Sequence, residues 1–128
     1  MLLAEPVSYP QMLWVLRHAW LVMTDSGVLQ EEAASFDRPL LVLRKTTERP
    51  EVIEAGGGVL VGTDRADLTA WVERLATDAD TYGSLRCRQN PFGDGQAATY
   101  IAQHLERALV PDFASDPMPD FVADACAA

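Results

Sequence analysis

Apolar residues in this chain fall into two patterns that alternate along it, short unbroken runs and runs with spacings of four and three. Residues 19–23 (Ala-Trp-Leu-Val-Met), 40–43 (Leu-Leu-Val-Leu) and 59–61 (Val-Leu-Val) are unbroken, as in parallel strands covered on both faces. Between them the period changes. Pro10 opens a helical stretch with Leu13, Trp14 and Leu16 on or beside one face, running to about His18. From Val28 a helix is carried by Leu29, Ala33 and Phe36, with Gln30, Glu31 and Asp37 facing elsewhere, and Arg38-Pro39 ends it. A short helix is expected over residues 50–55, followed by Gly56-Gly57-Gly58 as a turn. Asp64 is placed to cap a helix with Leu68, Trp71, Val72 and Leu75 on its apolar side. Asp78 begins a short helix toward Arg86, and Ala98, Ile101, Leu105 and Ala108 mark a last one. Met1-Leu2-Leu3-Ala4 reads as the end of a strand, closed by Glu5-Pro6.

Strands alternating with helices predict an α/β fold, a Rossmann-like parallel sheet with flanking helices and right-handed crossovers. The pattern assigns residues 1–110 to this domain and residues 111–128, which have no period and three prolines, to a loosely held tail. Ligands of such sheets collect beyond the carboxyl ends of the strands. Those ends deliver Asp25-Ser26-Gly27, the polar loop of residues 44–49 with its three cations Arg44, Lys45 and Arg49, and Gly62-Thr63. At the first, Ser26 is an N-cap, and the opening N–H groups of the following helix attract anions. A cap with no ligand is the plainer reading of that turn taken alone.

Composition narrows the partners. A chain of 128 residues, 48% hydrophobic and with a mean hydropathy of −0.02, suits one domain with a single core, and no apolar run is long enough to cross a bilayer. Residues 1–6 lack a basic start followed by an apolar stretch, so no signal peptide is read and a cytoplasmic protein is expected. Nineteen acidic against ten basic residues give a charge of −9, which repels polyanions and argues against nucleic acid while leaving room for a small phosphate ligand. Cys87 and Cys126 have no ligand-like spacing with His18 or His104, so free thiols are expected, with neither metal nor cofactor.

Four pieces then carry a resemblance: Thr24-Asp25-Ser26-Gly27 with Gln30-Glu31-Glu32-Ala33; Thr46-Thr47-Glu48-Arg49-Pro50-Glu51; Glu54-Ala55-Gly56 with Leu60-Val61-Gly62-Thr63-Asp64; and Asn90-Pro91-Phe92-Gly93-Asp94-Gly95. In order and separation they resemble the C-terminal domain of the non-hydrolysing UDP-N-acetylglucosamine 2-epimerases, enzymes of the GT-B fold. The resemblance implies most of the C-terminal half of that fold, binding UDP or a UDP-N-acetylhexosamine. It assigns Ser26 and Gly27 to the diphosphate, Glu32 to the ribose hydroxyls and Arg49 to the nucleotide as a fixed cation. Val28 departs from the family's second glycine and puts a β-branched side chain where backbone approaches phosphate. Lys45, Gly57, Val7 and Met12 also depart, the last two implying an altered uracil pocket.

The family's reaction eliminates UDP across the sugar C1–C2 bond and adds it back with C2 inverted, which needs an acid and a base. The resemblance assigns that work to segments that this chain lacks, so no catalytic residue is named here and enzymatic activity is left undecided. The first strand of such a domain sits at the sheet centre and is expected to be absent here, with the three apolar runs on one side of it, so residues 19–23 are expected to expose an apolar edge. Three readings follow. The chain is the UDP-binding half of a split or truncated epimerase, inactive alone and completed by a separately encoded N-terminal half or by self-association; or a non-catalytic nucleotide-sugar module; or a decayed structural fragment.

Overall fold

Serine and proline start the first helix. Gln11 Oε1 accepts both the N–H and the hydroxyl of Ser8 at 2.9 Å, Pro10 sits in the first turn, and α1 runs Tyr9–His18. The computed structural model describes residues 3–87 and 89–109. They fall in two units, residues 1–91 and residues 92–128.

In the first unit α1 is followed by β1 (Val22–Thr24), α2 (Gly27–Ser35), β2 (Leu40–Val42), α3 (Pro50–Glu54), β3 (Gly58–Leu60), α4 (Arg65–Thr77) and α5 (Ala79–Ser84). The three strands form one parallel sheet in the order β1-β2-β3, with Met23, Leu41 and Val59 in register. The expected fold is present, with shorter strands than the apolar runs suggest. Residues 3–8 hold no strand and Leu3 is exposed, while Met1 and Leu2 of the expected strand end lie outside the described residues.

Leu41, Val61 and Leu75 form the core on one sheet face, covered by Leu68, Trp71 and Val72 of α4 and by Tyr82 and Leu85. Strand alternation turns Leu40 and Val42, both fully buried, to the other face, where α2 and α3 pack. Caps match the polar signals: Asp64 accepts the N–H groups of Ala66 and Asp67, and Asp78 those of Asp80 and Thr81. Helix α2 ends in a Schellman motif, with Asp37 at φ 53°, Arg38 N–H on Ala33 O and Asp37 N–H on Ala34 O. Arg86 pairs with the Asp37 carboxylate.

Two sequence expectations change. Residues 19–23 are not covered on both faces: Trp20 is 46% and Met23 44% exposed, and β1 is an edge strand beyond which no strand pairs among the described residues. The buried side of α2 is carried by Gln30, Ala33 and Ala34 instead of Leu29, Ala33 and Phe36, a one-residue rotation that puts an amide in the interior. The second unit holds α6 (Ala97–Leu109), whose Ile101, Leu105 and Leu109 are exposed. Within it Asp94 accepts the Tyr100 hydroxyl at 2.6 Å, which lowers the carboxyl below its usual range and raises the phenol. The expected tail of residues 111–128, and Cys126 in it, lie outside the described residues. No described helix is long and apolar enough to cross a membrane.

Candidate functional site

Parallel register brings the carboxyl ends of the three strands side by side. Thr24 O accepts from Leu43 N–H and Val42 O from Val61 N–H, both at 2.9 Å, and Arg44 O accepts from Gly62 N–H at 3.2 Å. The three turns singled out in the sequence therefore meet at one end of the sheet.

The first turn is set by a buried threonine. Thr24 Oγ1 accepts the Ser26 N–H at 3.0 Å, which holds Ser26 extended at φ −80° and ψ 125° as the N-cap of α2. Ser26 Oγ accepts the Leu29 N–H at 3.5 Å, and Ser26 O takes the first intrahelical bond, from Gln30 N–H, at 3.1 Å. The N–H groups of Gly27 and Val28 precede that bond and stand at the positive end of the helix. Val28 is 62% exposed, so its side chain projects into solvent from this end.

The loop after β2 folds over the same end. Arg44 Nη1 donates to Glu48 Oε2 at 2.6 Å, and Glu48 Oε1 would lie 2.8 Å from a Cβ added to Gly27. A side chain at position 27 would thus strike the carboxylate. The Thr47 hydroxyl donates to Gln30 Oε1 at 2.7 Å and accepts the Arg49 N–H at 3.0 Å. The Arg49 side chain pairs through Nε with Glu31, and its Nη1 donates to Glu48 O at 3.3 Å.

Of the four residues that the sequence singles out, Ser26 and Gly27 form the N-terminus of α2, and Arg49 meets the same helix from the loop through Glu31. Glu32, further along α2, engages another neighbour: it accepts the Tyr9 hydroxyl, and this bond with the carboxylate charge raises the phenol above its ordinary range. Glu32 is thereby linked to α1, on which Met12 lies half-buried, with Val7 exposed just before it. Glu31, not Glu32, meets Arg49. Sequence reasoning missed Gln30 and Thr47, because a polar residue on a helix or in a loop reads as solvated unless its partner is known. Asn90 Nδ2 donates to Ser35 Oγ at 2.9 Å in the first unit, whereas residues 92–95 of the same motif belong to the second. Chemically, the end of the sheet offers the N–H groups that open α2, an arginine in a partly exposed ion pair, and a carboxylate one turn along α2.

Comparison with known proteins gives one consistent family. The family described as UDP-N-acetylglucosamine 2-epimerase matches residues 1–106. Relatives include the UDP-N-acetylglucosamine 2-epimerase of Salmonella typhimurium, 48% identical over 104 residues, which cover 81% of this chain and 28% of that protein. That of Yersinia pestis is 42% identical over 109 residues, covering 85% and 29%. Among solved structures, the S. aureus MnaA-UDP co-structure superposes with a TM-score of 0.80 at 35% identity, covering 93% of this chain and 32% of that one. The UDP-GlcNAc 2-epimerase from Neisseria meningitidis bound to UDP-GlcNAc gives 0.74 at 35% identity, covering 81% and 28%. The chain spans little more than a quarter of the length of the curated relatives it matches.

Proposed function

The chain belongs to the UDP-N-acetylglucosamine 2-epimerase family, and from that premise we propose that it is the UDP-binding part of such an epimerase. The single observation that carries the reading is the fold of the loop after β2 onto α2, with Glu48 against Gly27 at the N-terminus and Arg49 paired with Glu31. In this reading the diphosphate sits against those N–H groups. Arg49 leaves Glu31 for the nucleotide, and Glu32 leaves the Tyr9 hydroxyl for the ribose. Two solved relatives, the S. aureus MnaA-UDP co-structure and the Neisseria meningitidis structure bound to UDP-GlcNAc, support the ligand class.

The resemblance assigns the acid and base of the reaction to segments without counterpart among residues 1–128, so the chain by itself is expected to bind UDP without epimerising the sugar. Titration calorimetry with UDP tests the first part: saturable heat supports it, and none at millimolar ligand leaves a purely structural fold. Incubation with UDP-N-acetylglucosamine tests the second, where turnover to the manno epimer overturns it. The open edge of β1 favours a chain that takes a further strand, from an N-terminal half or a second copy, over a self-sufficient binding module. Cytoplasmic residence belongs to the same proposal, because the family substrate is a nucleotide sugar.

A further inference from the structure

We propose that Gln30 is a positioning residue for Arg49, a buried strut from α2 that acts through Thr47 to fix the backbone from which the guanidinium reaches an anionic nucleotide. This rests on the reading of that end of the sheet as a nucleotide site. Gln30 is fully buried, yet its amide faces a loop instead of solvent. Three links run inward to outward: Gln30 Oε1 accepts from Thr47 Oγ1 at 2.7 Å, Thr47 Oγ1 accepts from Arg49 N–H at 3.0 Å, and Pro50 constrains Arg49 from the following side. The same helix therefore holds Arg49 twice, inside through Gln30 and outside through Glu31.

The two holds differ in how readily they give way. The Arg49 and Glu31 side chains are 39% and 38% exposed, so water screens their pairing and an incoming phosphate can replace the carboxylate. The Gln30–Thr47 bond is part-buried and anchored on a side chain with no exposure. When a nucleotide takes the guanidinium from Glu31, the strut keeps the Arg49 backbone where it was, and the arginine need not be reordered on binding. Gln30 Nε2 is buried with no partner among the described residues, which costs folding free energy. An apolar side chain of similar shape would spare the fold that cost. A glutamine at this point is better explained by the loop it holds than by stability.

The test uses the whole chain. Gln30→Met should leave the melting temperature equal or higher while weakening UDP binding about tenfold, the opposite sign from a residue that only stabilises the fold. In an Arg49→Ala background the same change should cost less than about twofold more, because the strut then has no guanidinium to place. Thr47→Val should reproduce the loss from the other end and Thr47→Ser should keep wild-type affinity; this pair decides the matter if Gln30→Met does not fold. UDP affinity that stays at the wild-type level in Gln30→Met and Thr47→Val while Arg49→Ala weakens it overturns the strut and leaves the site intact. Absence of UDP binding in the wild type, or an Arg49→Ala chain that binds like it, overturns the site itself and the strut with it.

Discussion

Val28 stands where the resemblance leads one to expect a second glycine. It occupies the second position of α2, is 62% exposed, and projects from the end where the diphosphate is proposed to rest. Removing its side chain leaves no cavity, and the fold loses only helix propensity, about 0.5 kcal/mol. Val28→Gly should therefore tighten UDP binding in calorimetry, and an unchanged affinity sinks the steric account of that position. Glu32→Ala should act the other way, weakening UDP by about 1–3 kcal/mol through loss of a charge-assisted acceptor. Cys87 gives a ligand-independent check. It is 3% exposed, and burial first, then the nearby Asp37 carboxylate, pushes its thiol above the ordinary 9.0. The unfolded chain gives up that proton near its ordinary value while the folded chain keeps it. Stability from this group is thus full below about pH 9 and is lost as pH rises through the higher folded value. Urea midpoints across the alkaline range should fall more steeply for the wild type than for Cys87→Ala; equal slopes refute it.

At the scale of elements, the glycine triplet before β3 shows how a turn signal can hide a packing requirement. Gly56 has φ 76° and makes the turn, but a Cβ on Gly57 would lie 2.7 Å from Cys87 Cβ and 3.4 Å from Val52 Cγ2. Gly57→Ala should destabilise the fold by about 1–3 kcal/mol in chemical denaturation, since the chain at Cys87 must shift. Cys87→Ala should not rescue it, because the clash is with the Cβ that alanine keeps. Sequence pattern reached the element order, the parallel sheet and the caps Asp64 and Asp78, because these depend on local spacing and short polar contacts. The strand-end rule reached the turns that meet at the sheet end, and the resemblance named Ser26, Gly27, Glu32 and Arg49 there as the UDP contacts that titration is to test. Sequence pattern could not reach Gln30 with Thr47, Glu31 with Arg49 or Gly57 with Cys87. Each joins residues 17 or more apart, and only the packed loop decides which side of α2 faces inward. The expectation that residues 19–23 are covered on both faces failed for a related reason: an apolar run records what a strand can bury, not what stands beside it.

On the scale of the whole molecule, that strand is where a further strand is proposed to add. Beyond β1 no strand pairs among the described residues, and Met23, in register with the buried Leu41, is left 44% exposed at the margin of the same face. An apolar edge of this kind templates another strand. Opposing it is the net charge of −9, whose repulsion between copies acts over a Debye length that falls from about 30 Å at 0.01 M salt to about 8 Å at 0.15 M. The two terms predict a direction. Light scattering should give a mass near 14.0 kDa in low salt and a rising mass as salt is added. Met23→Lys places a charge at the edge without entering the core, and should hold the chain monomeric at every salt concentration while shifting stability by no more than about 0.5 kcal/mol. A wild-type chain that stays monomeric from low to high salt at high protein concentration would show that the β1 edge is closed in solution. The place proposed for a second strand would then be lost.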